Sequence, residues 1–369
     1  MNGLVGDFDI AIIGAGMAGA SLAAECAPHA RVLVVEAEDT PGYHTTGRSA
    51  AFWEETYGGP AVVPLTMASG HFLREGGFLA PRGALNIGQA ADRDKVAAFI
   101  ETYTALGATL HLQSRAEIAE RVPGLRADWV VGAWEPGCAD IDVAGLHQHY
   151  LAASKRTGSV LRVRARVDQI EREGAGWRIA WATGEARAGV IANAAGAWAD
   201  ELAKLAGANP LGIAPMRRTI VQVRTDPAPQ DDLPLVLGIN EDFYFKPQGG
   251  RLWLSPHDEI PDVAGDAAPE ELDVAIAIDR FEKVVDWKIA ALERRWAGLR
   301  SFAPDRLPVY GFDPAVPGLF WFAGQGGFGI QTAPAAARLA AQLLLGRPRD
   351  GLTAEIDAAV YSPARFTAG

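Results

Sequence analysis

The stretch FDIAIIGAGMAGASLAAECA, Phe8 to Ala27, decides how the rest of the chain is read. An apolar run closes at Ile13, glycines stand at positions 14, 16 and 19, and an alanine-rich stretch carries on to Ala27. That order predicts a buried strand, a tight turn and a helix. A second apolar run of strand length, RVLVVEAE from Arg31 to Glu38, follows at once. The chain therefore opens on a strand–helix–strand unit of the parallel kind.

Each glycine of the turn has its own task in a dinucleotide site. Gly14 permits the turn, Gly16 lets the backbone approach a pyrophosphate, and Gly19 allows the helix to pack closely on the strand. Ala15, Met17 and Ala18 complete the motif at a helix N-terminus, where free N–H groups attract phosphate. Glu36 and Ala37 end the second strand, where a carboxylate accepts from ribose hydroxyls and disfavours a 2′-phosphate. Far along the chain, GQGGFGIQT (Gly324 to Thr332) is a second glycine-rich turn opening a helix. A helix N-terminus there would stabilise the negative charge of a reduced flavin, which favours FAD over NAD. An NAD-dependent dehydrogenase using the first unit alone is the alternative.

Between these ends the pattern changes. KVAAFIETYTALGA, RAEIAERVPGL and VAGLHQHYLAASKRTG predict helices stopped by glycine or proline. SVLRVRARVDQIERE and GWRIAWATGEARAGVIANAAGAW predict antiparallel strands, and TIVQVRT, FYFKPQ and RLWLSP predict further ones. EELDVAIAIDRFEKVVDWKIAALERRW predicts a helix, and GLFWFA a strand before the final helix. Together these predict an α/β dinucleotide domain assembled from residues 1–80, 140–215 and 301–369. A second domain, residues 81–139 and 216–300, is inserted into it.

The chain has 369 residues, 34 basic against 45 acidic side chains, and a net charge of −11. That balance argues against a nucleic-acid or anionic-membrane partner. Two cysteines, Cys26 and Cys138, speak against a disulfide framework, a CxxC redox pair and a multi-cysteine metal site. His147 and His149 fall on different faces of one helix, and His257 reads as a solvated loop residue beside Asp258 and Glu259, so no metal site is expected. The N-terminus has no positive region before its apolar run, and no stretch of about 18 apolar residues occurs. A cytoplasmic protein without an integral membrane segment is expected.

DIAIIGAGMAGASLA, GYHTTGRSAA, ANAAGAWAD, WAGLRSFAPDRLPVYG and FWFAGQGGFGIQTAPAAA resemble the D-amino-acid oxidase superfamily of FAD-dependent oxidoreductases. Within it they are most similar to the bacterial D-arginine dehydrogenase branch. The resemblance implies a Rossmann-like FAD-binding domain with an inserted α+β substrate domain on a mixed, largely antiparallel sheet. It implies hydride transfer from an amino-acid Cα to flavin N5, giving an imine that hydrolyses to a 2-oxo acid and ammonia. It also implies that the segment after the second strand wraps a non-covalent FAD, through His44, Thr45, Thr46, Ser49, Ala50 and Ala51. Arg48 in that segment either neutralises phosphate or forms a salt bridge. Val167, the strand end Asn193, Ala194, Gly196 and Trp198, and the turn Gly326, Gly327, Gly329, Ile330 and Gln331 complete the implied contacts.

An amino-acid carboxylate requires a bidentate cation, which arginine supplies. By the resemblance Arg300 is that cation and Arg218 a second pocket arginine, although Arg217 beside it could exchange roles. Tyr57 and Tyr244 match pocket tyrosines. Phe52 replaces a histidine, and Ala84 replaces a glutamate that pairs with a cationic substrate. With Trp53 and Gln331 these predict an apolar pocket, and so a D-amino acid with a neutral, especially a large apolar, side chain. A secondary amine such as an N-methyl amino acid is the nearest rival substrate, and a flavin-free binding protein the rival of another class. The electron acceptor, O2, a quinone or another, is left open by the sequence.

Overall fold

The first strand, Gly3–Ile13, is fully buried along its last four residues. Its two faces serve different cores, because successive side chains alternate across a strand. Ile10 and Ile12 pack with helices Met17–Cys26 and Ala333–Leu345, while Ala11 and Ile13 pack with Trp177, Trp181 and Leu202. Burial on both faces is why the strand reads as an unbroken apolar run. The computed structural model describes residues 3–366, so the first two and last three residues of the expected cofactor domain lie outside it.

Gly3–Ile13 pairs in parallel with Val32–Val35 on one side and with Gly184–Asn193 on the other. Val160–Arg162 extends the sheet beyond Val32–Val35, and Leu319–Ala323 runs parallel to the end of Gly184–Asn193. Gly176–Trp181 and Val167–Glu173 complete an antiparallel edge. A second sheet runs in the order Gln325–Gly326, Lys288–Phe302, Ala214–Asp226, Arg251–Ser255, Tyr244–Gln248, Leu235–Gly238, Ala84–Gln89, Trp129–Glu135, His111–Ser114. Its pairs are antiparallel except Leu235–Gly238 with Ala84–Gln89. The α/β class, with a Rossmann-like unit and a mixed, largely antiparallel second sheet, is the one the sequence predicts.

The expectation fails at Lys288–Phe302. The predicted helix stops at Glu282, and KIAALERRWAGLRSF is a 15-residue strand. Alanine, leucine, glutamate and arginine are good helix formers, but propensity is a weak prior. The ladder from Ala214↔Phe302 to Asp226↔Lys288 gives this stretch a cross-strand partner along its length, and tertiary pairing wins. The stretch Ser159–Glu173 is likewise two strands in one sheet but not adjacent to each other.

A small sheet of Phe52–Trp53, Ala139–Ile141 and Leu79–Pro81 carries the segment between the two large sheets. Here the placement of Trp53 is corrected. Alternation sends Phe52 toward Tyr57 and Tyr244 and Trp53 to the opposite side. The Trp53 indole is 1% exposed, donates to Thr66 O at 3.1 Å and lies 4.3 Å under the Arg74 guanidinium. It is a core residue, so Trp53→Ala is expected to cost about 3–5 kcal/mol in urea unfolding. A loss below about 1 kcal/mol would contradict this packing.

Candidate active site

The glycine turn is built by close approach. Gly14 has φ +104°, where a side chain is strained, and a Cβ there would lie 2.5 Å from Ala194 O. A Cβ on Gly19 would overlap Gly14 O, so the helix sits directly on the strand end. Ala15 N–H donates to Glu36 Oε2 at 2.7 Å, and Glu38 N–H donates to Glu36 Oε1 at 2.9 Å. Met17 N–H, at the helix start, donates to Thr46 Oγ1 at 2.9 Å. From the helix Val143–Arg156, His147 Nε2 donates to Ala15 O at 2.9 Å, and burial lowers its pKa so that the ring stays neutral.

These elements surround a cavity of about 240 Å³. Gly14, Gly16, Met17, Ala18, Glu36, Ala37, His44, Thr45, Thr46 and Ser49 line it, with Val167, Ala194, Gly196, Trp198, Gly326, Gly327, Gly329 and Ile330. Three further polar atoms in its wall are buried without a partner: His44 Nδ1, Arg300 Nε and Gln325 Nε2. A buried polar group left unpaired costs about 1–3 kcal/mol, so the cavity is shaped for a polar occupant. Helix N–H groups, a side-chain-free turn and a carboxylate at the strand end fit a dinucleotide.

Several expected contacts fall elsewhere. Ala15, Gly19 and Asn193 support the wall from behind, Asn193 by donating from Nδ2 to Ala199 O at 2.8 Å. Ala50, Ala51 and Gln331 line the neighbouring chamber instead. Arg48 has a wall position, but its guanidinium takes the salt-bridge alternative, bonding Asp266 and the carbonyls of Ala267 and Ala297 at 2.9 and 3.3 Å. Thr45 Oγ1 donates to Leu299 O at 2.7 Å.

The neighbouring chamber is small, about 20 Å³, and is walled by Phe52, Tyr57, Arg218, Tyr244, Arg300 and Gln331. It shares Ser49, Arg300, Gly327 and Ile330 with the larger cavity. Arg218 faces Gly298 and Arg300 faces Met216 across the long ladder, so both arginines project from one face. Arg217 points the other way and pairs with Glu270 at 2.8 Å and Asp273 at 3.1 Å, so the two do not exchange roles. Arg218 is 1% exposed; its Nε donates to Asp258 O at 2.6 Å and its Nη2 to Glu259 Oε1 at 2.9 Å. Burial, then the neighbouring Arg300, push its pKa down. A Cβ on Gly327 would overlap the Tyr57 hydroxyl and lie 3.0 Å from Arg300 Nε, so this glycine makes room for both.

Ala84 does not line the chamber. It is fully buried in an apolar cluster with Phe52, Cys138, Leu237 and Tyr244. His257 is not solvated either. Its ring stands edge-on to Tyr244 at 5.6 Å, with Nδ1 buried and unpaired. Burial, then Arg218 and Arg300, push its pKa down to about 2. Burial also raises the Tyr244 phenol, against the pull of the two arginines. The acidic neighbours of His257 suggested a wet loop, and only the fold brings Tyr244 over it. Gln325 was within reach of the sequence, since it stands inside GQGGFGIQT. Among the described residues no group of histidine, cysteine and carboxylate side chains could hold a metal ion, and no helix is long and apolar enough to cross a membrane.

The sequence model of the DAO family, described as FAD dependent oxidoreductase, matches residues 9–343. A glycine oxidase of Pseudomonas aeruginosa is 29% identical over 255 residues, which are 66% of this chain and 65% of that protein. FAD-dependent oxidoreductase domain-containing protein 1 of Xenopus laevis is 27% identical over 194 residues, 48% of this chain and 38% of its own. The matched region thus spans less than two thirds of these curated relatives. The crystal structure of glycine oxidase from Geobacillus kaustophilus has a TM-score of 0.84 at 24% identity, covering 97% of this chain and 99% of that one. Since a Cβ on Gly19 would overlap Gly14 O, Gly19→Val is expected to give a folded protein that purifies without flavin absorbance. Stoichiometric FAD in that variant would contradict the packing of helix on turn.

Proposed function

The chain belongs to the DAO family of FAD-dependent oxidoreductases, and on that premise we propose that it oxidises the carbon–nitrogen bond of a neutral α-amino acid, D-configured where chiral. The observation that carries this reading is Arg300 Nε, buried and unpaired in the wall common to both cavities. A substrate carboxylate would satisfy it, and the Tyr57 hydroxyl stands beside the same glycine. Residues lining the larger cavity would hold the FAD, which when bound supplies the acceptor for a hydride. The chain's part is to place the α-carbon and exclude water.

The chamber's charge supports a neutral amine. Two guanidinium groups and no carboxylate or histidine line it among the described residues. An ammonium there is disfavoured by like charge, so the amine gives its proton to solvent and no general base is required. The D assignment rests on the motif resemblance. The rings of Phe52, Tyr57 and Tyr244 crowd the chamber, which favours a small side chain over the large apolar one expected from sequence. A secondary amine such as N-methylglycine is the second reading, supported by the apolar rings that would surround a methyl group.

Arg300→Ala is expected to keep FAD and weaken substrate binding at least about tenfold, the equivalent of about 1.4 kcal/mol. Unchanged KM and reduction rate would remove Arg300 from the site. In anaerobic flavin reduction, glycine, D-alanine or N-methylglycine should outrun D-arginine, since among the described residues no acid lines the chamber to pair a cationic side chain. D-arginine as the fastest substrate would overturn the reading. Neither cysteine lines the cofactor cavity, and acid precipitation is expected to release all the flavin. Colour kept in the pellet would show a covalent bond.

A further inference from the structure

Behind the chamber three carboxyl side chains, Glu54, Glu55 and Glu135, are buried together. No ion pair among the described residues includes them; the nearby cations, Lys246 and Arg82, are taken by Asp140. The other titratable groups around them are Glu241, Tyr103 and Cys138. The Thr56 hydroxyl stands between two of the acids, 3.0 Å from Glu135 Oε2 and 3.3 Å from Glu54 Oε1. A hydroxyl carries a single proton, so it donates to one carboxylate and accepts from the other. Each acid also takes an N–H: Glu55 N–H reaches Glu135 Oε1 at 2.6 Å, and Asn86 Nδ2–H reaches Glu54 Oε1 at 3.4 Å. One acid is then the donor to the hydroxyl and the other its acceptor.

We propose that Glu54 and Glu135 share one proton through Thr56, and that this protonated pair is a positioning device for Tyr57 in the substrate chamber. The turn Glu54–Tyr57 is closed by Tyr57 N–H donating to Glu54 O at 3.3 Å. Gln331 grips it from the chamber wall: Oε1 accepts Glu54 N–H at 3.1 Å, and Nε2 donates to Tyr57 O at 3.3 Å and Thr66 Oγ1 at 2.9 Å. Glu135 grips it from the other side through Glu55 and Thr56. Loss of the proton leaves two unneutralised charges in a dry site. The turn is the part that can yield, and Tyr57 moves with it away from Gly327 and Arg300.

Burial pushes the Glu54 carboxyl up to about 7 and raises Glu135 well above its ordinary range, Glu54 adding to that rise. For an acid raised in the folded state, the stabilising contribution is complete below the ordinary value of 4.5 and is lost as pH rises through about 7. Substrate-site affinity follows the same direction.

The proposal rests on reading the chamber as the substrate site, and the test separates the two. Glycolate is the probe, because it has the carboxylate and lacks an amine whose titration would intrude. Its binding to the FAD-loaded protein, read from the flavin spectrum, should weaken at least about fivefold between about pH 6 and about pH 9. Glu54→Gln and Glu135→Gln should flatten that dependence. Infrared spectra of the unmodified protein at about pH 6 should show the C=O stretch of a buried protonated carboxyl, altered in both Glu54→Gln and Glu135→Gln. An affinity independent of pH, an unchanged profile in both variants, or no such band in the unmodified protein overturns the proposal. Failure of glycolate to bind at every pH overturns the chamber reading and with it the role given to Tyr57, while the infrared band still decides whether the proton is shared.

Discussion

The antiparallel ladder between Ala214–Asp226 and Lys288–Phe302 brings two guanidinium groups to one wall, and the site is organised around accommodating them. Like charges in a dry wall repel, and the protein handles the two differently. Arg218 is compensated within the chain by Glu259 and the Asp258 carbonyl. Arg300 keeps an unpaired Nε. An occupant that supplies one carboxylate completes what the fold left undone, whereas a cationic one adds to the repulsion. At its far end the same ladder continues through Ser301↔Gly326 into the turn that lines the larger cavity, so the cation and that turn share one register.

Neutrality around the arginines is arranged as carefully as charge. His257 is held neutral by burial and by both guanidinium groups, and its ring serves as a wall for Tyr244. For His147 burial alone lowers the pKa, against Ala15 O and Glu36, and the ring spends its Nε2–H on the glycine turn. Both histidines act as shaped hydrogen-bonding surfaces, which leaves the local field to the two arginines and the buried glutamates.

What could be read in the sequence was local. The spacing of Gly14, Gly16 and Gly19 with Glu36, and the second turn at Gly324–Thr332, carry their own geometry, because the residues that make the turn are the residues that make the site. The motifs of Arg300 and Arg218 lie on paired strands that bring both to the chamber wall. Long-range pairing hid the rest. The strand Lys288–Phe302 looks helical until its partner is known. Trp53 and Ala84 belong to the expected pocket in sequence and to packed layers in space. Glu135 joins Glu54 across 81 positions only because Ala84 and Glu135 are cross-strand partners and Glu55 reaches the same strand.

The wall common to the two cavities has an evolutionary consequence. Ser49, Arg300, Gly327 and Ile330 touch both spaces, so a substitution at any of them is tested twice by selection. A descendant that changed its diet at these positions would alter one wall of its cofactor cavity at the same time. Phe52 and Tyr244 face the smaller space alone and are free of that double test. Divergence of substrate preference among relatives of this chain should therefore be written mainly in the rings, with the seam inherited nearly intact.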